Sequence, residues 1–173
     1  ALGLELTILT AVRTGEIINA TWDEIDLDNR LWTIPAERMK AGKEHRVPLS
    51  NPAMAILDKL RIARMSGFIL PGKTKVHPLS NMAFLQTLKR MKRPNLTTHG
   101  FRSTFRDWAA ERTAYPHEVA EMALAHTVGN KVEAAYRRGD MFEKRKRIME
   151  DWADYCGAAK NDDNVVAIRK QKG

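Results

Sequence analysis

The sequence predicts an α+β fold, mainly helical, with a small three-stranded antiparallel sheet at one edge. Apolar residues recur at helical spacing through most of the chain. Residues 22–50 instead alternate apolar and polar side chains around turn-forming Asp, Asn and Gly. With 173 residues, 43% of them hydrophobic, the chain is long enough for one domain with a sizeable core. Residues 1–158 are expected to form that domain and residues 159–173 a polar tail.

Residues 2–20 read as one helix, with Leu2, Leu6, Leu9, Val12 and Ile17 near helical spacing and Gly15 as a kink. Two strands follow at residues 24–28 and 31–35, joined by a turn at Asp28, Asn29 and Arg30. Arg46, Val47, Pro48 and Leu49 form a third, and Pro48 places it at a sheet edge or strand end. The connection before it, residues 39–45, is a basic hairpin that contains Gly42. Residues 52–64 form an amphipathic helix, with Ala53, Ile56, Leu57 and Leu60 on its apolar side. A short apolar run at 68–72 ends in a turn, and residues 79–91 form a helix capped by Ser80. Four closely spaced helices complete the domain: 99–112, one starting at Pro116, one opened by a capping box of Asn130 and Glu133, and 141–156. In the tail, the apolar island at 165–168 could add as a strand to a sheet edge, in cis or in a neighbouring subunit.

Charge narrows the partner. Lys and Arg total 29 against 21 Asp and Glu, a net +8, which favours a polyanion, with nucleic acid ahead of an acidic membrane. The single cysteine, Cys156, excludes an intrachain disulfide and a cysteine-rich zinc site, and fits a reducing, cytoplasmic setting. No signal peptide, membrane-length apolar run, Gly-rich phosphate loop or metal-spaced His/Cys cluster is visible. The chain opens at Ala1 directly into an apolar helical pattern, as expected of a domain cut from a longer protein.

The chemistry centres on His99 and Arg102. Thr98 is the expected N-cap of their helix, which would set both side chains on one face of its first turn. Free N–H groups and the positive end of the helix dipole would favour a phosphate there. Arg13, among apolar neighbours, needs a partner, and Glu16 three residues on can hold it. With Lys40, His126 and Tyr136, these residues suit attack on a phosphodiester. Two guanidiniums can fork onto non-bridging oxygens whose charge grows as a phosphorane forms. Tyrosine, with an ordinary pKa of about 10, needs a base or a positive field to act as a nucleophile. Lysine can protonate a departing alkoxide, and histidines can share the proton handling. The scheme needs neither metal nor other cofactor.

The order and spacing resemble the catalytic domain of tyrosine recombinases, the phage integrase family. Arg13, Thr14, Gly15 and Glu16 resemble its first arginine box. Lys40 ahead of Arg46, Val47, Pro48 and Leu49 resembles the hairpin lysine, with Lys43 on the same hairpin as the alternative. His99, Gly100, Phe101 and Arg102 resemble the His-x-x-Arg box. Leu124, Ala125 and His126 resemble the second histidine motif, and Tyr136, ten residues later, the nucleophile. The wording of residues 129–136 is similar to integrases of prophages and genomic islands. The match spans roughly residues 1–157 and lacks the family's N-terminal DNA-binding part.

The resemblance implies a site-specific recombinase. Tyr136 would attack DNA to give a 3′-phosphotyrosine, and a partner strand's 5′-hydroxyl would rejoin it. The implied partners are double-stranded DNA at attachment sites and further copies of the chain in a tetramer, with accessory DNA-bending proteins compatible and no membrane. Three alternatives remain open at this point: a type IB topoisomerase-like enzyme, a non-catalytic DNA-binding domain on the same scaffold, and a metal-free nuclease.

Overall fold

The computed structural model describes residues 1–126 and 139–158. Tyr136, the expected helix with its Asn130–Glu133 capping box, and the island at 165–168 lie outside the described residues. The described helices are α1 (Leu2–Thr10), α2 (Thr14–Ile18), α3 (Asn51–Ile62), α4 (Ala83–Arg90), α5 (Thr98–Arg112), α6 (His117–Ala123) and α7 (Phe142–Ala158). The strands are β1 (Ile25–Asp26), β2 (Leu31–Ile34) and β3 (His45–Pro48), antiparallel in the order β1-β2-β3. The α+β class and the small sheet therefore stand as expected.

The register sets Trp32 opposite Val47 and Ile34 opposite His45, and all four are buried. Pro48 pairs with Leu31 on a strand whose only sheet neighbour among the described residues is β2, where a missing N–H costs no further described ladder bond. Below the sheet, Leu6, Leu9, Val12 and Ile17 join Ile56 and Leu57 of α3 and Phe84 and Leu88 of α4 in one apolar cluster. A second cluster joins Phe105 and Trp108 of α5, Val119 and Ala123 of α6, and Ile148, Met149 and Trp152 of α7. Trp152 stacks edge-on against Phe105, with ring centroids 5.4 Å apart, and its Nε1 donates to the Ile8 carbonyl at 2.9 Å. Helix α7 thus ties the second cluster to α1.

Four local expectations are corrected. Residues 2–20 are not one helix kinked at Gly15. The helix stops at Ala11, which takes a left-handed conformation (φ 50°), and restarts after Arg13, which is extended (φ −76°, ψ 151°). The cap of α5 is Thr97, not Thr98: Thr97 Oγ1 accepts the Gly100 N–H at 3.0 Å, and Thr98 instead bonds Thr14 through its hydroxyl at 2.6 Å. Helix α4 starts at Ala83 rather than near Leu79, because Leu79 N–H bonds the Leu70 carbonyl beside a Pro71–Pro78 bridge. Pro116 is the N-cap of α6, not its first helical residue.

Candidate phosphate-binding site

The break at Ala11 builds the site. Leaving the helix there frees the Ala11 carbonyl and turns Arg13 out at the start of α2. Glu16 Oε2 accepts the Arg13 N–H at 2.8 Å, and Oε1 accepts from Nη1 at 2.7 Å. The pair is not an ordinary surface bridge: Glu16 is 5% exposed, and the Arg13 side chain retains 32%. A carboxylate anchored inside holds a half-open guanidinium in one orientation. The Thr14–Thr98 bond then fixes the start of α2 against the start of α5.

Arg102 comes from the first turn of α5 and is 5% exposed. Nη1 donates to the Ala11 carbonyl. Nη2 donates to the Leu124 carbonyl at 2.8 Å and lies 3.4 Å from His126 Nε2. Burial, and then the charge of Arg13, pull its pKa down to about 10, against the opposing charges of Glu16 and Glu121. It therefore stays cationic at neutral pH. His126 follows the end of α6, where Ala125 is left-handed at φ 51°.

The hairpin supplies the opposite wall. A 3₁₀ turn, Ala36–Arg38, precedes Lys40. Arg38 pins it, bonding the Glu16 carbonyl at 3.2 Å and Glu24 Oε2 at 2.5 Å. Trp32 Nε1 reaches the same Glu24 oxygen at 2.8 Å. Gly42, at φ 62°, supplies the left-handed turn that returns the chain to β3. A cleft of about 380 Å³ results, lined by Arg13, Lys40, Ala41, Ala125 and His126. Lys40 and Lys43 are both exposed, but Lys40 alone of the two lines the cleft.

The structure thus brings Arg13, Lys40 and His126 around one cleft, with Arg102 behind His126 and Glu16 behind Arg13. His99 is exposed in the first turn of α5 and does not line the cleft. It shares a turn with Arg102 but not its environment.

Two buried groups beside the site escape motif reasoning. Glu121 Oε2 lies 2.9 Å from His126 Nδ1. His45, at the start of β3, is 7% exposed. Burial, and then the charge of Arg145, push its imidazole down to about 4, against Glu16 and a bond to the Ala123 carbonyl that favour the proton. The five-residue spacing of Glu121 and His126 was the available signal, meaningful only once the helix end between them is known.

Arg13, backed by the buried Glu16, meets Lys40 and His126 at a small cleft, with Arg102 held behind it by two buried carbonyls, an arrangement suited to an anionic oxygen pair. The scaffold that holds them is that of a tyrosine recombinase catalytic domain. The integrase from mycobacterium phage Brujita superposes with a TM-score of 0.64 at 19% identity, over 87% of this chain and 51% of that one. A lambda integrase tetramer bound to a Holliday junction gives 0.55 at 21% identity, over 80% and 42%. The phage integrase family model matches residues 1–143, and the chain belongs to that family. Prophage integrase IntA of Escherichia coli K12 is 39% identical over 164 residues, covering 92% of this chain and 39% of its own length. The chain spans about two-fifths of the length of the curated relatives it matches.

Proposed function

We propose that this chain is the catalytic part of a site-specific DNA recombinase that integrates or excises a prophage or genomic island. The observation that carries the reading is the meeting of Arg13, Lys40 and His126 at one cleft, with Arg102 against His126, in a member of the phage integrase family. A scissile phosphodiester seated there presents its non-bridging oxygens to Arg13, to the unused N–H groups of Arg102 and to His126 Nε2. These contacts strengthen as charge builds in the phosphorane. Tyr136 Oη forms the new bond to phosphorus and gives its proton to His99 or to solvent, since His126 is engaged by Glu121 and a phosphate oxygen. The 5′-oxygen leaves with a proton from Lys40. The ester bond is exchanged for another of similar energy, so rejoining by a 5′-hydroxyl of the partner duplex needs no ATP. The protein acts on double-stranded DNA in the bacterial cytoplasm, as a tetramer.

The test uses the longer parent protein and nicked suicide DNA carrying its attachment site. A denaturant-resistant protein–DNA band is expected for wild type and absent for Tyr136→Phe. A band that survives in Tyr136→Phe refutes the nucleophile. Free cleaved ends without a band refute covalent chemistry, and religation without strand exchange favours the topoisomerase reading.

A further inference from the structure

Helix α6 closes in a Schellman arrangement. Ala125 N–H bonds the Met122 carbonyl at 3.1 Å, and His126 N–H bonds the Glu121 carbonyl at 2.9 Å. This closure sets the side chain three positions inside the helix end against the one two positions beyond the cap, a contact that is commonly apolar. Here it is Glu121 against His126. Glu121 is 8% exposed. Its Oε2 lies 2.9 Å from His126 Nδ1, and its Oε1 lies 2.8 Å from Arg106 Nε in an ion pair. Burial pushes this carboxyl up, but the bond from His126 and the charges of His126, Arg106 and His117 outweigh it and hold it below its ordinary range. An ionised carboxylate only accepts, so Nδ1 must carry a proton. The lone pair of the neutral ring is then on Nε2, 3.4 Å from Arg102 Nη2, on a side chain that lines the cleft.

We propose that Glu121 is a positioning residue that makes anion binding at this cleft proton-coupled: it locks His126 as the Nδ1–H tautomer and lets Nε2 take up a proton when a phosphate oxygen arrives. The inference rests on the cleft being a phosphodiester site. Among the described residues, Arg102 lies against Nε2, and Arg13 and Lys40 line the same cleft, with Glu16 committed to Arg13. In the empty cleft Nε2 therefore accepts from Arg102. An anion reverses the balance. Its charge offsets Arg102 and Arg13, solvent supplies a proton to Nε2, and Arg102 and imidazolium both donate to the oxygens. Without the Glu121 carboxylate, Nδ1 loses its described acceptor and the ring loses the negative charge set opposite Arg102.

Histidine-labelled protein is titrated with sulfate, whose charge stays constant across the histidine range, and His126 is followed by long-range nitrogen–proton NMR. The free wild type is expected as the Nδ1–H tautomer. Sulfate should raise the His126 midpoint by about one pH unit, and reciprocally bind about tenfold tighter below that midpoint than above it. Glu121→Gln, which keeps the shape and removes the charge, should lower the midpoint and reduce the pH dependence of sulfate binding to about threefold or less. Glu121→Asp keeps the charge and should retain the wild-type dependence. The same spectra report whether each variant is folded. An Nε2–H tautomer in the free protein, a midpoint that sulfate does not move, or equal pH dependence in wild type and Glu121→Gln overturns the proposal. None of these readouts involves cleavage. Loss of the covalent band with these results intact refutes the recombinase reading alone.

Discussion

Replacing Arg102 by alanine should unfold the protein as much as disable it. Its guanidinium donates to the carbonyls of Ala11 and Leu124, which belong to residues 2% and 1% exposed. Both are helix-end carbonyls without an intrahelical partner. Leaving a buried acceptor unpaired costs about 1–3 kcal/mol, so two lost bonds predict about 2–6 kcal/mol before any loss of stem packing. That is a large part of the ~5–15 kcal/mol that holds a typical domain together. Arg102→Lys can restore one of the two bonds with its single ammonium group and should cost about half as much. Urea unfolding followed by tryptophan fluorescence measures both, since Trp108 and Trp152 lie in the cluster that α5 shares with α7. Arg13→Ala provides the contrast. Its guanidinium is one-third exposed and its one described side-chain bond is to Glu16, so it should abolish cleavage at a smaller stability cost. If Arg102→Ala unfolds within about 1 kcal/mol of wild type, the two-carbonyl account is wrong.

Two further outcomes follow from single groups. His45 is held near 4 from its ordinary 6.5. Between those values the unfolded chain binds a proton that the folded chain refuses, so stability is lost as pH falls, by about 3 kcal/mol in all. His45→Gln should flatten that part of the pH–stability curve measured by urea midpoints, and parallel curves for the two proteins would contradict the assignment. On the hairpin, Lys40→Ala should slow strand cleavage and Lys43→Ala should not, because Lys40 lines the cleft. A 5′-thio leaving group, which needs no proton, should restore the Lys40→Ala rate. The same rescue seen only for Lys43→Ala would move the general acid.

Most of the fold was legible because periodicity reports burial directly: the sheet, α3, α5 and α7 lie where the apolar spacing placed them. What failed were positions whose conformation ran against residue preference. Ala11 and Ala125 both take left-handed backbone that glycine usually supplies, so nothing in their chemistry marked a helix end. Thr97 and Thr98 are equivalent as caps in sequence, and the choice fell to the partner Thr98 finds in Thr14. Arg145 sits within Glu143, Lys144, Lys146 and Arg147, a run that reads as a solvated face. It is nevertheless 2% exposed, paired with Asp140 and donating to the carbonyls of Asp140 and Arg46. His45 was hidden in the same way by a lysine hairpin that is mostly solvent-facing.

The two left-handed alanines also explain why the site stands where it does. Each stops a helix abruptly and strands a carbonyl at the seam between the two apolar clusters: Ala11 at the end of α1, and Leu124 one residue before Ala125 at the end of α6. Apolar side chains cannot satisfy those carbonyls, and water has little access beside residues so buried. A guanidinium can reach both and still hold N–H groups in reserve. Arg102 therefore closes the seam as a structural cation and lies against His126 at the back of the cleft. Its positive charge, once placed there, needs buried acids nearby to be tolerable, and Glu16 and Glu121 meet that need while orienting Arg13 and His126. The polar groups of the site are in this sense the solution to a packing problem at two helix ends, which is why the fold itself fixes their geometry.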